Sequence, residues 1–195
     1  MKIIGGMYKN RRVYRPADIR PTQHIVRKAL FDILGHDMGG LSFLELFAGS
    51  GAVGLEALSR GAQRVLMVEK SPFCARVIEE NIGLLRGNLG AEEVTCEVRQ
   101  ADALATVKVF FREGRRFEVI FADPPYGRGM AKKTLKTIDL HNILSPDGLL
   151  VIQHEKSETL SETPALRLIQ RKRYGTGFLS LYAVNHGGSQ IGDLH

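Results

Sequence analysis

The ten residues ELFAGSGAVG, positions 45–54, constrain this chain more than any others. Gly49, Gly51 and Gly54 are spaced as G-x-G-x-x-G, after the apolar run LSFLEL and before a helical pattern. A turn of this kind lets backbone approach a ligand closely and lets the following helix pack tightly on its strand. It belongs where a strand hands over to a helix that returns to a parallel neighbour. The rest of the chain supplies those neighbours. RVLMV at 64–68, EEVTCEVRQ at 92–100, FEVIFA at 117–122 and GLLVIQHE at 148–155 read as strands. Residues 52–60, 71–83, 103–112 and 130–140 read as helices between them, Ser71 and Pro72 supplying an N-cap and a first-turn proline. The alternation predicts an α/β fold with a parallel sheet covered by helices on both faces.

Both ends depart from that pattern. Residues 2–15 read as a short hairpin with YKNRR at its turn, an appendage outside the sheet core. Thr22 N-caps a helix that runs to about Leu34, its apolar face formed by Ile25, Val26, Ala29, Leu30, Ile33 and Leu34. After the fifth strand, ALRLIQRKRYGTGFLSLYAV predicts two strands joined at Gly175 to Gly177, an antiparallel hairpin on the sheet edge. The expected organisation is a basic hairpin over 1–18, one domain over 19–184 and a flexible tail over 185–195.

A chain of 195 residues, 44% apolar and 25% charged, suits one soluble globular domain. No apolar run reaches the length of a membrane span, and MKIIGGMYKNRR lacks the apolar core of a secretory signal. Cys74 and Cys96 show no CxxC spacing and predict buried thiols rather than a disulfide or metal site. A cytoplasmic monomer without metal or membrane partner is expected. The formal charge of +6 is clustered. Lys2, Lys9, Arg11, Arg12, Arg15 and Arg20 face the single Asp18 in the first twenty residues. Arg128, Lys132, Lys133 and Lys136 form a second group, Arg171 to Arg173 a third. A polyanion such as nucleic acid fits this charge, and on charge alone a solvated basic surface fits equally well.

The glycine loop fits a dinucleotide as well as S-adenosylmethionine. Glu69 ends the next strand, about 20 residues on, where a carboxylate takes both ribose hydroxyls. Two further acids favour the sulfonium cofactor. Glu45, at the end of the first strand, can attract the methionine ammonium directly or through water, and would repel a pyrophosphate. Asp102, at the end of the third strand, can accept from the adenine amino group.

At the end of the fourth strand stands FADPPYGRG, residues 121–129. Ligands of an open parallel sheet collect outside the carboxyl ends of its strands, so Asp123 shares the pocket. Pro124 and Pro125 give a stiff turn, and the carbonyl near Pro124 meets no competing local amide donor. A carboxylate and a carbonyl held at a fixed angle take both hydrogens of an exocyclic amine. That localises the nitrogen lone pair, which is otherwise delocalised into the base, and aims it at a methyl group. Tyr126 can stack on the base. With such a pocket the basic residues acquire a partner, and Lys9, Arg11, Arg12, Arg15, Arg20 and Arg128 become the expected RNA contacts.

Four segments, IIGG, RPT followed by VRKALF, LFAGSGAVGLEALSRGA, and ADPPY, together resemble the bacterial RsmD family from Ile3 to about Val184. These are guanine-N2 methyltransferases of 16S ribosomal RNA that use S-adenosylmethionine. DPPY alone is shared by amino-methyltransferases acting on adenine, cytosine, guanine or glutamine. The resemblance implies a seven-stranded, Rossmann-like class I methyltransferase sheet with a target guanine in the small ribosomal subunit. It implies cofactor contacts at Phe47, Gly49, Ser50, Gly51, Glu69, Lys70, Asp102, Ala103 and Asp123, with Thr22 and Arg27 bordering the mouth. The remaining readings are another DPPY-type amino-methyltransferase, a nucleotide-binding oxidoreductase, and a non-catalytic RNA-binding module.

Overall fold

A computed structural model describes residues 1–16, 24–86, 94–175 and 177–186. In chain order the elements are α1 (His24–Leu34), β1 (Ser42–Leu46), α2 (Ala52–Ser59), β2 (Arg64–Glu69), α3 (Pro72–Arg86) and β3 (Thr95–Gln100). Then follow α4 (Ala103–Arg112), β4 (Phe117–Ala122), α5 (Met130–Leu140), β5 (Leu144–Glu155), β6 (Leu166–Tyr174) and β7 (Gly177–Val184). The strands form one sheet in the order β3-β2-β1-β4-β5-β7-β6. β1 to β5 pair in parallel, while β7 runs antiparallel against both β5 and β6. This is the seven-stranded class I methyltransferase sheet implied by the resemblance. The terminal pair is the expected antiparallel hairpin on the sheet edge, with β7 against β5 and β6 outermost.

The period-two alternation of the central strands sorts side chains onto two faces. Phe43, Met67, Val119, Phe121 and Val151 pack on the side of α1, α2 and α3. Leu44, Leu46, Leu66, Val68, Ile120 and Ile152 pack on the side of α4 and α5. Burying both faces explains why these strands read as continuous apolar runs. Cys74 and Cys96 are buried free thiols. β5 starts four residues before the expected Gly148: Leu144 pairs with Phe117, and a register shift between Phe117 and Val119 absorbs the Pro146-Asp147-Gly148 punctuation.

The strand order turns back at β1, whose neighbours β2 and β4 lead away in opposite directions. At such a switch point the loops after β1 and β4 diverge and leave an opening at the carboxyl edge. Among the described residues no helix is long and apolar enough to cross a membrane.

The N-terminal segment is not an appendage. One antiparallel bridge, Lys2 with Arg12, closes the expected hairpin. Ile3, Tyr8 and Val13 are buried in the core on the α2 side. The amides of Met7 and Tyr8 donate to the carbonyl and hydroxyl of Ser59, at 2.6 and 2.9 Å. The Ser59 hydroxyl in turn donates to the Gly5 carbonyl at 2.6 Å. A Cβ on Gly6, whose φ is 72°, would lie 1.8 Å from the Ser59 carbonyl, so only glycine lets the segment lie this close to α2. The boundary expected after residue 18, and the N-cap expected at Thr22, lie outside the described residues, as does all of the tail beyond His186.

Candidate active site

A cleft of about 490 Å³ opens at the carboxyl ends of β1 to β4. Its walls come from the loops that follow these four strands. Phe47, Gly49 and Ser50 follow β1, Glu69 ends β2 with Lys70 next, Asp102 and Ala103 follow β3, and Asp123 and Pro125 follow β4. Residues far apart in sequence meet here because parallel strands place all their carboxyl ends on one edge.

The β1 loop and the start of α2 are held by two carboxyl groups. Glu69 accepts from the Gly49 amide at 2.7 Å with one oxygen and from the Ser71 amide at 2.7 Å with the other. The acid expected to hold a ribose thus also ties the glycine loop to the start of α3. Glu45 does the same from below, accepting from the amides of Gly54 at 2.7 Å and Val53 at 3.4 Å. It points to the α2 side of the sheet, as Phe43 does, and lies beneath the cleft wall, not on it. Burial pushes its carboxyl up to about 8, against the pull of those two amides. A Cβ on Gly54 would come within 2.6 Å of Met67 and 2.9 Å of the Glu45 carboxylate, so the third glycine of the motif is what lets α2 sit on this carboxylate. The contribution of Glu45 to the site therefore passes through the loop.

Asp102 N-caps α4, accepting from the Ala105 amide at 3.0 Å. It remains exposed on the cleft wall. Phe47 adopts φ 58°, a conformation bulky side chains rarely take, at the point where β1 becomes loop. Apolar surface from Phe47, Val68, Ala101, Ala103 and Met130 completes the cleft. Apolar walls with a carboxylate at the second strand end and another at the third suit a nucleoside, its base between apolar groups and its hydroxyls and amine towards acids. S-adenosylmethionine fits this donor set.

Asp123 follows β4, and its amide reaches the Leu46 carbonyl at 3.4 Å, joining the β4 exit to the β1 exit. Pro125 is exposed on the cleft wall while Pro124 is buried beside it. Tyr126 is 51% exposed and stands outside the cleft wall. Its hydroxyl is 3.5 Å from the Gln153 side chain, and a Cβ on Gly177 would lie 3.0 Å from it. The tip of the loop is anchored by Glu155, which accepts from the Gly127 amide at 2.7 Å. Glu155 was not singled out from the sequence, yet it ends β5 as Glu69 ends β2, and the strand-end rule that found the other acids applies to it. Met130 carried no sequence signal beyond an apolar residue opening a helix.

Arg27, implied at the mouth, lies elsewhere. It is 4% exposed, its Nη2 donates to the Lys2 carbonyl at 2.6 Å, and its Nε is 3.7 Å from Glu56. The buried face of α1 turns it into the core with Val26, Leu30 and Phe31. Burial draws its guanidinium below the ordinary range, against the attraction of Glu56 and Glu45. Thr22 and Arg20 fall outside the described residues. Lys9, Arg11, Arg12, Arg15 and Arg128 are all exposed. Arg11 also donates to the Leu84 carbonyl at 3.3 Å. The N-terminal segment comes up to the glycine loop itself, where the Ser50 hydroxyl is 3.8 Å from the Met1 sulfur. Among the described residues, no three His, Cys, Asp or Glu side chains are placed to hold a metal ion.

The family model described as conserved hypothetical protein 95 matches residues 1–183. The Bacillus subtilis protein YlbH, named as a putative rRNA methyltransferase, is 31% identical over 185 residues, 93% of this chain and 98% of its own. The Escherichia coli K12 ribosomal RNA small subunit methyltransferase D is 28% identical over 175 residues, 89% of this chain and 84% of its own. The solved structure of a hypothetical protein from Thermus thermophilus superposes with a TM-score of 0.79 at 32% identity, covering 94% of this chain and 99% of that one.

Proposed function

The chain belongs to the conserved hypothetical protein 95 family, the RsmD-like family, and from that premise we propose that it methylates the N2 amine of a guanine in small-subunit ribosomal RNA, with S-adenosylmethionine as donor. The observation that carries this is the sharing of one cleft by the glycine loop, Glu69, Asp102 and the Asp123-Pro125 turn. A nucleotide-binding oxidoreductase would leave that last turn without a task.

In this reading Gly49 and Ser50 bring backbone to the methionine part of the cofactor, while Gly51, off the cleft wall with its amide on the Ala48 carbonyl at 2.8 Å, lets the loop close over Ile78 and Met67. Glu69 takes the ribose hydroxyls and Asp102 the adenine amine. The cofactor, when bound, supplies an electrophilic methyl on a sulfonium. Asp123 and a carbonyl of the double-proline turn accept the two hydrogens of the guanine amine. That holds the nitrogen lone pair out of the ring plane and pointed at the methyl; as the new N–C bond forms the S–C bond breaks, the cofactor leaves as a neutral thioether, and the amine proton goes to Asp123 or to water. Orientation of this kind contributes about 7–11 kcal/mol to lowering a barrier. A guanine that begins stacked or paired must be turned out to reach the turn, and Tyr126, exposed beside it, offers a ring on which to stack.

The RNA is gripped by the exposed arginines of the N-terminal segment and by Arg128. The E. coli relative's name specifies the small ribosomal subunit, and we take the same substrate class for this chain. The test is transfer of labelled methyl from S-adenosylmethionine to ribosomal RNA, followed by mass mapping of the nucleosides. N2-methylguanosine in the small-subunit RNA is the expected product. Label on adenine, or on protein alone, would replace the proposal with another amino-methyltransferase.

A further inference from the structure

On the flank formed by α4 and α5 lies a groove of about 460 Å³ whose side chains include Lys108, Lys132, Lys133 and Lys136. We propose that this groove is a second phosphate-binding face for the RNA, distinct from the N-terminal segment. The proposal rests on RNA being the substrate.

Five observations lead to it. All four lysines are exposed, no carboxylate lines the groove, and among the described residues none of the four forms an ion pair. The one acid of α5, Asp139, accepts instead from the Ala165 amide at 2.9 Å. Lys133, Lys136 and Leu140 follow helical spacing along one stripe of α5, while Ala131, Thr134, Leu135 and Ile138 form its buried side. Glu158 is buried, its carboxylate accepting from the Lys132 amide at 3.2 Å, and it is not on the groove wall. Ammonium groups gathered along one groove create a positive field that attracts an anion.

Position then selects the anion. Gly129 lines this groove, and Met130, the next residue, lines the candidate active-site cleft. Arg128, which precedes both in the chain, is exposed. α4 and α5 cover one face of the sheet, and the N-terminal segment lies on the opposite face, against α2 and α3. The cleft mouth is therefore flanked by positive charge from both faces. A polyanion crossing the mouth meets both, and a long sugar-phosphate chain presented to the cleft by one of its bases is such a polyanion. Lysine ammonium groups act here as point charges that position the backbone without reading its sequence.

The experiment compares the wild-type chain with the triple variant Lys108→Gln, Lys133→Gln, Lys136→Gln, and with the corresponding Lys→Arg triple. Binding of transcribed small-subunit ribosomal RNA is measured across a salt series, with cofactor affinity and methyl transfer in parallel. Each lost phosphate contact lowers the slope of log affinity against log salt by roughly 0.7–0.9, so the glutamine triple should lose about 2–3 from that slope. Its KM for RNA should rise while its cofactor affinity and its kcat at saturating RNA stay at the wild-type values. The arginine triple should restore the slope. A glutamine triple with the wild-type slope and affinity would overturn the groove alone, leaving the proposed function intact. A wild-type chain that neither binds nor methylates the RNA would overturn both.

Discussion

Asp123 leaves β4 on the cleft wall beside Pro125, with its amide held towards Leu46 of β1. On the proposed function, Asp123→Ala should remove the acceptor assigned to the guanine amine while leaving the cofactor's main contacts in place. By analogy with removal of one oxyanion donor, the single-turnover rate should fall about 10²–10³-fold, with cofactor affinity changed by no more than a few-fold. A rate close to wild type would remove Asp123 from the reaction. Glu45 makes a different claim. Its ordinary pKa of 4.5 is raised to about 8 by burial, so the folded chain keeps a proton that the unfolded chain releases. Its contribution to stability is full below about pH 4.5 and is lost as pH rises to about 8. Glu45→Gln still offers an oxygen to the Gly54 and Val53 amides but does not titrate. Urea unfolding across that pH range should show wild-type stability falling relative to the variant, and a constant difference would refute the raised pKa.

At the scale of elements, the docking of the N-terminal segment depends on polar groups of α2 and α3 that look like surface residues in sequence. Glu56 is fully buried, accepting from the Ile4 amide at 2.9 Å and from the Arg60 guanidinium at 3.0 Å. Asn81, also fully buried, donates to the Tyr14 carbonyl at 3.1 Å and accepts from the Tyr14 amide at 2.7 Å. An amide side chain that satisfies both backbone groups of one residue fixes the segment in the manner of an extra strand. Asn81→Ala would leave those groups without their partner, at a cost of about 1–3 kcal/mol. Chemical denaturation should register that loss, and hydrogen exchange should show it concentrated in residues 8–14. Unchanged protection there would mean that the apolar contacts of Ile3, Tyr8 and Val13 suffice. Glu56 and Asn81 escaped the sequence reading because their partners in the N-terminal segment lie about 50 to 70 residues away in the chain.

Across the whole molecule, the sheet separates two positive surfaces that share one mouth. The N-terminal segment carries Lys9, Arg11, Arg12 and Arg15 exposed on one face. Replacing Arg11, Arg12 and Arg15 with alanine should weaken RNA binding and lower the salt slope by about 2–3. Cofactor affinity should hold, since Glu69 and the glycine loop are bonded to each other and to α3 and not to these arginines. Filter binding over a salt series reads both quantities, and a variant that matches wild type would make these arginines a solvated surface. The segment's backbone is held by α2 and α3, so the Arg12 and Arg15 substitutions test charge without releasing the segment, while Arg11→Ala also removes its bond to the Leu84 carbonyl.

The succession of strands and helices, the glycine turn and the acids at the ends of β2 and β3 were legible in the sequence because each is a local pattern. Two-residue and 3.6-residue periodicities, a proline after an N-cap serine and a carboxylate at a strand end need no distant partner. The direction of Glu45 into the α2 interface, the burial of Arg27 and the placing of β7, not β6, against β5 had no local sign. Nor did the backbone of Phe47, or the stitching of the N-terminal segment to Ser59, Glu56 and Asn81. Each of these depends on which surfaces remain to be covered once the sheet has formed. An arginine on α1 reads the same whether it meets water or Glu56, and only long-range packing, by removing water from one side, decides between them.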